Sequence, residues 1–264
     1  MKIAVIIPSR LQSTRLPHKP LMTIGDKTLL SHVVDRAQAA LVGYSDVDLY
    51  VATDDNAIHH HAKELGIQAI MTDVQLPSGT DRVHAAATLL GYQENDIIIN
   101  LQGDAPLIPI DAIRGIIDIM SDTNVPFVTA VQQLSWEKLD SLREHKKTTP
   151  TSGTTTIVIN DHAVWFSKEI IPHIRNTDRS EKFSPVYRHY GIYGYTYGFL
   201  NTFVRSTVGR YEYIEGLEQL RAIEEMHIYP KVYRIDPHNN DPYISIDTLA
   251  DKEKYETLLK EHHA

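Results

Sequence analysis

The chain has 264 residues, 42% of them hydrophobic, which is enough for one large domain or for a domain with a smaller appendage. A formal charge of −8 argues against non-specific nucleic-acid binding, which calls for a basic surface. The absence of cysteine excludes disulfides, thiolate catalysis and cysteine-ligated zinc.

The first apolar run, Ile3 to Ile7, reads as a buried strand and stops at Pro8. That is too short for a signal-peptide core, and no stretch reaches membrane-spanning length, so a cytoplasmic protein with no membrane or nucleic-acid partner is expected. Leu29, Leu30, Val33, Val34 and Ala37 share one helical face. Asp48 to Thr53 reads as a strand. Ala57 to Leu65 reads as a helix stopped by Gly66, and Ile67 to Met71 as a short strand. Val83, Ala86, Ala87 and Leu90 mark a third helix stopped by Gly91. Ile97 to Ile99 belongs to a strand apolar on both faces, hence central and parallel. Ile110 to Met120 marks a fourth helix, and Phe127 to Val131 another strand. Repeated strand-then-helix units imply an α/β fold: a mostly parallel, Rossmann-like sheet with helices on both faces.

After about Gln133 the pattern changes. The threonine-rich residues 145–156 read as an exposed, mobile segment. Ile157–Ile159, Val164–Phe166 and Tyr190–Tyr197 read as strands of an added, smaller α+β lobe. Leu217, Leu220, Ile223 and Met226 suggest a helix, Val232–Ile235 and Tyr243–Ile246 strands, and residues 248–262 a polar closing helix. The expected division is a nucleotide-binding core of residues 1–132 and 211–264 with an inserted lobe at 133–210. The lobe is too extended to bury its apolar strands alone, so Val164, Trp165, Phe166, Phe199 and Phe203 are expected to need a partner surface.

Three cations follow the first strand: Arg10, Arg15 and Lys19. Loops off the carboxyl ends of open α/β sheets bind ligands. With the Ser13 and Thr14 hydroxyls between them, these cations suit a polyphosphate, and Pro8, Pro17 and Pro20 restrain the loop before anything binds. A solvated basic loop is the competing reading. Asp104, in Gln102-Gly103-Asp104, leaves the central strand at the same sheet edge, and Asp247 ends a late strand before the last helix. Both aspartates suit a Mg²⁺ ion that also binds phosphate oxygens, with helix capping as the alternative. Ala52-Thr53-Asp54 and Ser78-Gly79-Thr80-Asp81-Arg82 are small-residue stretches that let a backbone approach a flat base, although Ser78 and Thr80 also suit an N-cap. His59, His60 and His61 are consecutive, point to different sides of a helix, and read as surface residues.

Ile7-Pro8-Ser9-Arg10, with Ser13-Thr14-Arg15-Leu16-Pro17-His18-Lys19-Pro20-Leu21, resembles the signature of the 3-deoxy-manno-octulosonate (Kdo) cytidylyltransferase family. Ala52-Thr53-Asp54, Ser78 to Arg82, Gln102-Gly103-Asp104, Phe166-Ser167, Ile171-Pro172, His189 to Tyr193, Glu215 to Arg221 and Asp247-Thr248 resemble further blocks in the same order, over almost the whole chain. The resemblance implies that CTP and Kdo give CMP-Kdo and pyrophosphate, for lipopolysaccharide or another surface glycan. It implies that Arg10, Arg15 and Lys19 hold the phosphates and stabilise the leaving group, and that Asp104 and Asp247 hold Mg²⁺. A metal there would also acidify the attacking sugar hydroxyl. Pro8, Ser9, Ser13, Ala52, Thr53, Asp54, Ser78, Gly79 and Arg82 would bind the nucleotide. Gln102, Lys168, His189, Tyr193, Glu215 and Gln219 would face the sugar acid, and a homodimer is implied.

Several positions depart from the family pattern. Ala105 stands where the family usually has Glu, His18 where it has Gly, Lys168 where it has Arg, and threonines where a Val-Lys pair is usual near 154–158. These departures gather on the sugar side, which suggests an altered acceptor such as the 8-amino analogue of Kdo; exchanging Arg for Lys removes a planar carboxylate clamp. His189 also suits a core histidine, and Glu218 with Arg221 a helix-surface pair. A non-catalytic nucleotide-binding regulator on the same scaffold remains the reading from another class.

Overall fold

The structure is a computed structural model, and it describes residues 1–11, 16–122, 125–175, 178–239 and 242–263. The chain divides into two compact units. One comprises residues 1–114, 196–198 and 241–264, the other 115–195 and 199–240.

The first unit begins with β1 (Ile3–Ser9), followed after the basic loop by a 3₁₀ turn at Lys19–Leu21 and a two-stranded ribbon, β2 (Thr23–Ile24) and β3 (Lys27–Thr28). Helix α1 (Leu29–Leu41) starts at Thr28, whose side chain accepts a hydrogen bond from the Ser31 amide, and buries Leu29, Leu30, Val33, Val34 and Ala37. Then come β4 (Val47–Thr53), α2 (Asn56–Glu64), β5 (Gln68–Met71), α3 (Gly79–Leu89) and β6 (Ile97–Leu101). Asp55 caps α2 and Ser78 caps α3. Strands β1, β4, β5 and β6 pair in parallel. Their register aligns Ser9 with Thr53, and Thr53 with Met71. The carboxyl ends therefore share one edge, where Arg10, Asp54 and Gln102–Asp104 leave the sheet. Every residue of β6 is buried, as expected for a central parallel strand.

Helix α4 (Ile110–Asp122) carries the chain into the second unit. There follow β7 (Phe127–Ser135), α5 (Trp136–Thr148), β8 (Thr155–Ile159), β9 (His162–Ser167), β10 (Phe183–Thr196), α6 (Tyr197–Phe203), α7 (Arg210–Glu215), α8 (Leu220–Glu224) and β11 (Lys231–Ile235). Strand β7 runs antiparallel to β10 and parallel to β11. Strand β9 pairs with both β11 and β8, and β8 returns to β10, so the five strands close on themselves. This unit is larger than the expected 133–210 insertion because Lys231–Ile235 aligns residue for residue with Val128–Gln132.

Four further expectations are corrected. Residues 145–156 are not a mobile segment. Their first part ends α5, a polar helix in which only Leu139 and Leu142 are buried, leaving no hydrophobic period to read. Thr154, Thr155 and Thr156 are buried. The Thr155 hydroxyl donates to the Glu169 carbonyl at 2.7 Å and the Thr156 hydroxyl to the Trp165 carbonyl at 2.7 Å, so their polar atoms are satisfied without water. Tyr243–Ile246 forms no strand. It is extended chain in which Ile244 and Ile246 are buried. The helix expected over Leu217–Met226 shortens to α8. Finally, Phe166, Phe199 and Phe203 need no partner surface from outside the chain. Phe166 joins Val131, Leu217, Leu220 and Val232 in one core cluster, while Phe199 stacks on Phe127 at 5.2 Å and on Phe203 at 5.8 Å. Only Val164 and Trp165 of that group are half-buried.

The last helix, α9 (Leu249–His263), belongs to the first unit. Its Tyr255 hydroxyl lies 3.2 Å from His32 Nδ1, and His32 Nε2 lies 2.9 Å from the Ile24 carbonyl. The carbonyl can only accept, so Nε2 carries the proton and Nδ1 accepts from the tyrosine. Among the described residues no helix is long and apolar enough to cross a membrane.

Candidate active site

The common carboxyl edge of β1 and β6 forms one wall of a pocket in the first unit. Pro8, Ser9 and Arg10 line it from β1, and Gln102, Gly103 and Asp104 from β6. Gly79 and Arg82 line it from α3, Lys19 and Pro20 from the 3₁₀ turn, and Asp247 from the segment before α9. The approach of β1 to β6 is close. A Cβ on Gly103 would stand 2.6 Å from the Pro8 carbonyl oxygen, so glycine is required there.

Lys19 is the pivot. Its Nζ donates to Asp104 Oδ2 at 2.9 Å and to Asp247 Oδ1 at 3.1 Å, although the three residues are far apart in sequence. The Lys19 side chain is 14% exposed. Burial alone would lower its pKa, but the two carboxylates together outweigh that and hold it above the usual lysine value. A backbone hydrogen bond from the Ile246 amide to the Asp104 carbonyl, 2.9 Å long, ties the two aspartates' segments together. Asp251 then accepts from the Asp247 and Thr248 amides and from the Thr248 hydroxyl, fixing where Asp247 leaves the chain. His18, which precedes Lys19, has φ 57°. That left-handed conformation suits glycine, the residue expected there from the family pattern.

Arg82 is held in the pocket wall. It donates to Asp54 Oδ2 at 2.8 Å and to Thr72 Oγ1 at 2.6 Å. Burial pulls its pKa down, and Asp54 opposes this. Ala52 and Thr53 are fully buried at the end of β4. The Thr53 carbonyl accepts from the Thr72 amide and hydroxyl, and its Oγ1 accepts from the Asp55 amide. Ser78 is the helix cap, accepting from the Asp81 amide at 3.1 Å and donating to Asp81 Oδ2 at 2.6 Å. Gln102 donates to Asn100 Oδ1 at 3.0 Å, and Asn100 to Thr80 Oγ1 at 3.2 Å. Ser9 Oγ and Asp54 Oδ1 are buried with no hydrogen-bond partner among the described residues. Buried polar atoms in that condition call for a partner that the described residues do not supply. Ser13 and Arg15 lie outside the described residues.

In the second unit, the remaining sequence candidates form one cluster. Glu215, at the end of α7, accepts from the Ser167 hydroxyl and the Lys168 amide, each at 2.8 Å. Lys168 Nζ donates to Thr154 Oγ1 at 3.3 Å, and the Thr154 carbonyl accepts from the His189 amide at 2.9 Å. The His189 ring lies 5.6 Å from that of Tyr193, whose hydroxyl donates to Gln219 Oε1 at 3.3 Å. Gln219 Nε2 is buried with no partner among the described residues. Lys146 was hidden in the supposed mobile stretch. Its ammonium donates to the carbonyls of Pro150, Ser152 and Lys168, bracing the strand end that carries Lys168. Arg221 is not a surface residue. It is buried against Glu212, with Nε at 2.8 Å from Oε2, and Glu218 stands farther off at 3.9 Å. Thr72 and Asp251 carried no readable signal, since neither lies in a motif.

His189 is 6% exposed. The Thr129 hydroxyl donates to the Ile192 carbonyl at 2.8 Å, so its oxygen accepts from His189 Nε2–H at 2.9 Å. Burial first, and the charge of Lys168 second, lower its pKa from 6.5 to about 3. Between those values the unfolded chain binds a proton that the folded chain does not. This contribution to stability is complete above pH 6.5 and is lost as pH falls toward 3, by at most ~1.4 kcal/mol per pH unit. Urea denaturation between pH 4.5 and 7 is expected to show a steeper acid loss for the wild type than for His189→Gln. Parallel profiles would contradict a buried neutral imidazole.

Among the described residues no group of three or more histidines, aspartates or glutamates gathers to hold a metal. The Asp104–Asp247 pair nevertheless fits a divalent ion that shares its remaining positions with phosphate oxygens, because both carboxylates already direct an oxygen at a single cation, the Lys19 ammonium.

Comparison with known proteins bears on the family and the fold. The chain is 39% identical over 228 residues to an 8-amino-3,8-dideoxy-manno-octulosonate cytidylyltransferase of Shewanella frigidimarina, covering 86% of this chain and 88% of that one. It is 36% identical to 3-deoxy-manno-octulosonate cytidylyltransferase 2 of Hydrogenovibrio crunogenus, with full coverage of both. The solved structure of a CMP:2-keto-3-deoxy-manno-octonic acid synthetase complexed with CTP superposes with a TM-score of 0.82 at 28% identity, covering 99% of this chain and 100% of that one. Residues 4–229 match the family described as Cytidylyltransferase, and the chain belongs to that family.

Proposed function

We propose that this chain transfers the cytidylyl group of CTP to an eight-carbon 3-deoxy-2-ulosonic acid, Kdo or its 8-amino relative, and releases pyrophosphate. The observation that carries the proposal is the meeting of Lys19, Asp104 and Asp247 in one pocket with Arg10 and the end of β1. A cation beside two carboxylates at a strand edge is the set that in-line phosphoryl chemistry requires.

Arg10 and Lys19, with Arg15, hold the phosphates and offset the charge that builds on the leaving pyrophosphate. Asp104 and Asp247 hold Mg²⁺. The metal, when bound, supplies charge neutralisation at the phosphates and lowers the pKa of the attacking hydroxyl. Pro8, Ser9, Ser13, Ala52, Thr53, Asp54, Ser78, Gly79 and Arg82 surround the nucleotide, Arg82 kept in place by Asp54 and Thr72. Gln102, Lys168, His189, Tyr193, Glu215 and Gln219 face the sugar acid. The buried Gln219 Nε2 is a donor suited to a sugar oxygen, and Lys168 to the acceptor carboxylate. His189, neutral and held by Thr129, orients the acceptor rather than taking a proton. The proposed setting is the cytoplasm and the proposed assembly a homodimer, for which exposed Tyr213 and Ile214 on α7 offer apolar surface.

The test is a panel of acceptors with CTP and Mg²⁺, read by pyrophosphate release. Turnover with Kdo or 8-amino-Kdo, and none with sialic acid or sugar 1-phosphates, is expected, and the ratio of the two active kcat/KM values names the natural acceptor. No release with any octulosonate would remove the acceptor assignment. CTP binding without turnover would favour a regulator.

A further inference from the structure

We propose that Lys19 is the resident counter-ion of the Asp104–Asp247 pair and competes there with a divalent cation, yielding its place more readily when a triphosphate enters, so that nucleotide strengthens metal binding. The identity of the nucleotide rests on the function proposed above; the competition between lysine and metal does not.

The geometry is specific. One ammonium nitrogen spans both carboxylates, 2.9 Å from Asp104 Oδ2 and 3.1 Å from Asp247 Oδ1. A magnesium ion binds carboxylate oxygens at about 2.0–2.1 Å. An ion on the same two oxygens would set three positive charges within a few ångströms, so it and the ammonium exclude one another. The backbone of Lys19 is fixed. The Leu21 amide donates to the His18 carbonyl at 2.9 Å, the Met22 amide donates to the Lys19 carbonyl at 3.2 Å, and Pro20 is buried beside it. The four-carbon stem is the part left to move.

Where the ammonium goes decides the coupling. The same pocket presents Arg10, a further cation that would repel it, whereas the charge of Arg82 is already met by Asp54. Without a triphosphate a displaced Lys19 therefore loses two ionic hydrogen bonds and meets like charge. With a triphosphate it gains phosphate oxygens, the acceptors a leaving group needs stabilised, while the aspartates are freed for the metal. Metal and nucleotide then bind cooperatively, and by linkage each raises the other's affinity by the same factor.

Two measurements test this. Mn²⁺ binding, followed by electron paramagnetic resonance without nucleotide, is expected to be at least about tenfold tighter in Lys19→Met than in the wild type, because the competing charge is gone. The gain should vanish in the double variant Lys19→Met, Asp104→Asn. Equal or weaker binding in folded Lys19→Met would overturn the proposal. The second measurement needs no variant. Amine acylation of the wild-type chain, read by mass spectrometry, should rise several-fold at Lys19 when saturating Mn²⁺ is added without nucleotide, and fall again with CTP. Labelling indifferent to Mn²⁺ would also overturn it, even if Lys19→Met did not fold. A chain that binds no CTP would refute the function proposed above, while the nucleotide-free arms would still decide the role of Lys19.

Discussion

Asp104→Asn is expected to lower kcat by about 10³-fold or more while the chain stays folded. Asparagine keeps the shape of the side chain, which is only partly buried at 29% exposure, but loses the charge that both Lys19 and a divalent ion need. Asp247 keeps its contact with Lys19 at 3.1 Å, so the pocket should survive with one ionic hydrogen bond fewer. The comparison is steady-state pyrophosphate release in saturating CTP and acceptor, with circular dichroism and a denaturant midpoint to establish folding. Turnover within tenfold of the wild type, in a folded variant, would show that Asp104 is only a partner for Lys19.

The largest effect on stability is expected at Asp54. Its carboxylate faces Arg82, whose side chain is 2% exposed, and is itself 6% exposed. Asp54→Ala would leave a buried guanidinium with the Thr72 hydroxyl and, at 3.4 Å, the Asp73 carbonyl. Neither carries a full negative charge. Breaking one side of a buried ion pair costs about 3–5 kcal/mol, a large part of the stability of an ordinary domain. Urea denaturation should show the midpoint falling sharply. The paired replacement Asp54→Leu, Arg82→Met should recover most of that loss, because it buries no charge, yet remain poor at binding CTP. A loss below ~1 kcal/mol in Asp54→Ala would mean that water reaches Arg82 when its partner is removed.

The first unit was legible because its order is local and periodic. Helices α1 to α4 each carry an apolar face long enough to show, and Gly66 and Gly91 mark the stops. Strand β6 reads as central from Ile97-Ile98-Ile99 alone. The second unit hid its plan for physical reasons. Helix α5 is polar on nearly every side. Threonines 154 to 156 look exposed by composition, but the Thr155 and Thr156 hydroxyls donate to the Glu169 and Trp165 carbonyls and the Thr154 hydroxyl accepts from Lys168. Ile244 and Ile246 alternate as a strand would, yet the segment spends its backbone on single contacts such as the bond to Asp104. Phe166, Phe199 and Phe203 seemed to need an outside partner surface because their partners, Leu217, Leu220 and Phe127, come from distant parts of the chain.

From its residues alone this chain determines the α/β class, the basic loop after the first strand, and a carboxylate, Asp104, leaving the central strand at the same sheet edge. Those are properties of types and short spacings: an apolar run ended by proline, cations at intervals of five and four, a glycine that lets Asp104 turn out of the sheet. Only the tertiary structure decided that Lys19 rests between Asp104 and Asp247, that Arg82 is locked by Asp54, and that Arg221 turns to Glu212 instead of Glu218. Each is a choice among several charged partners, and the choice depends on which groups are taken out of water together. Burial is a property of the assembled chain, so no local pattern encodes it.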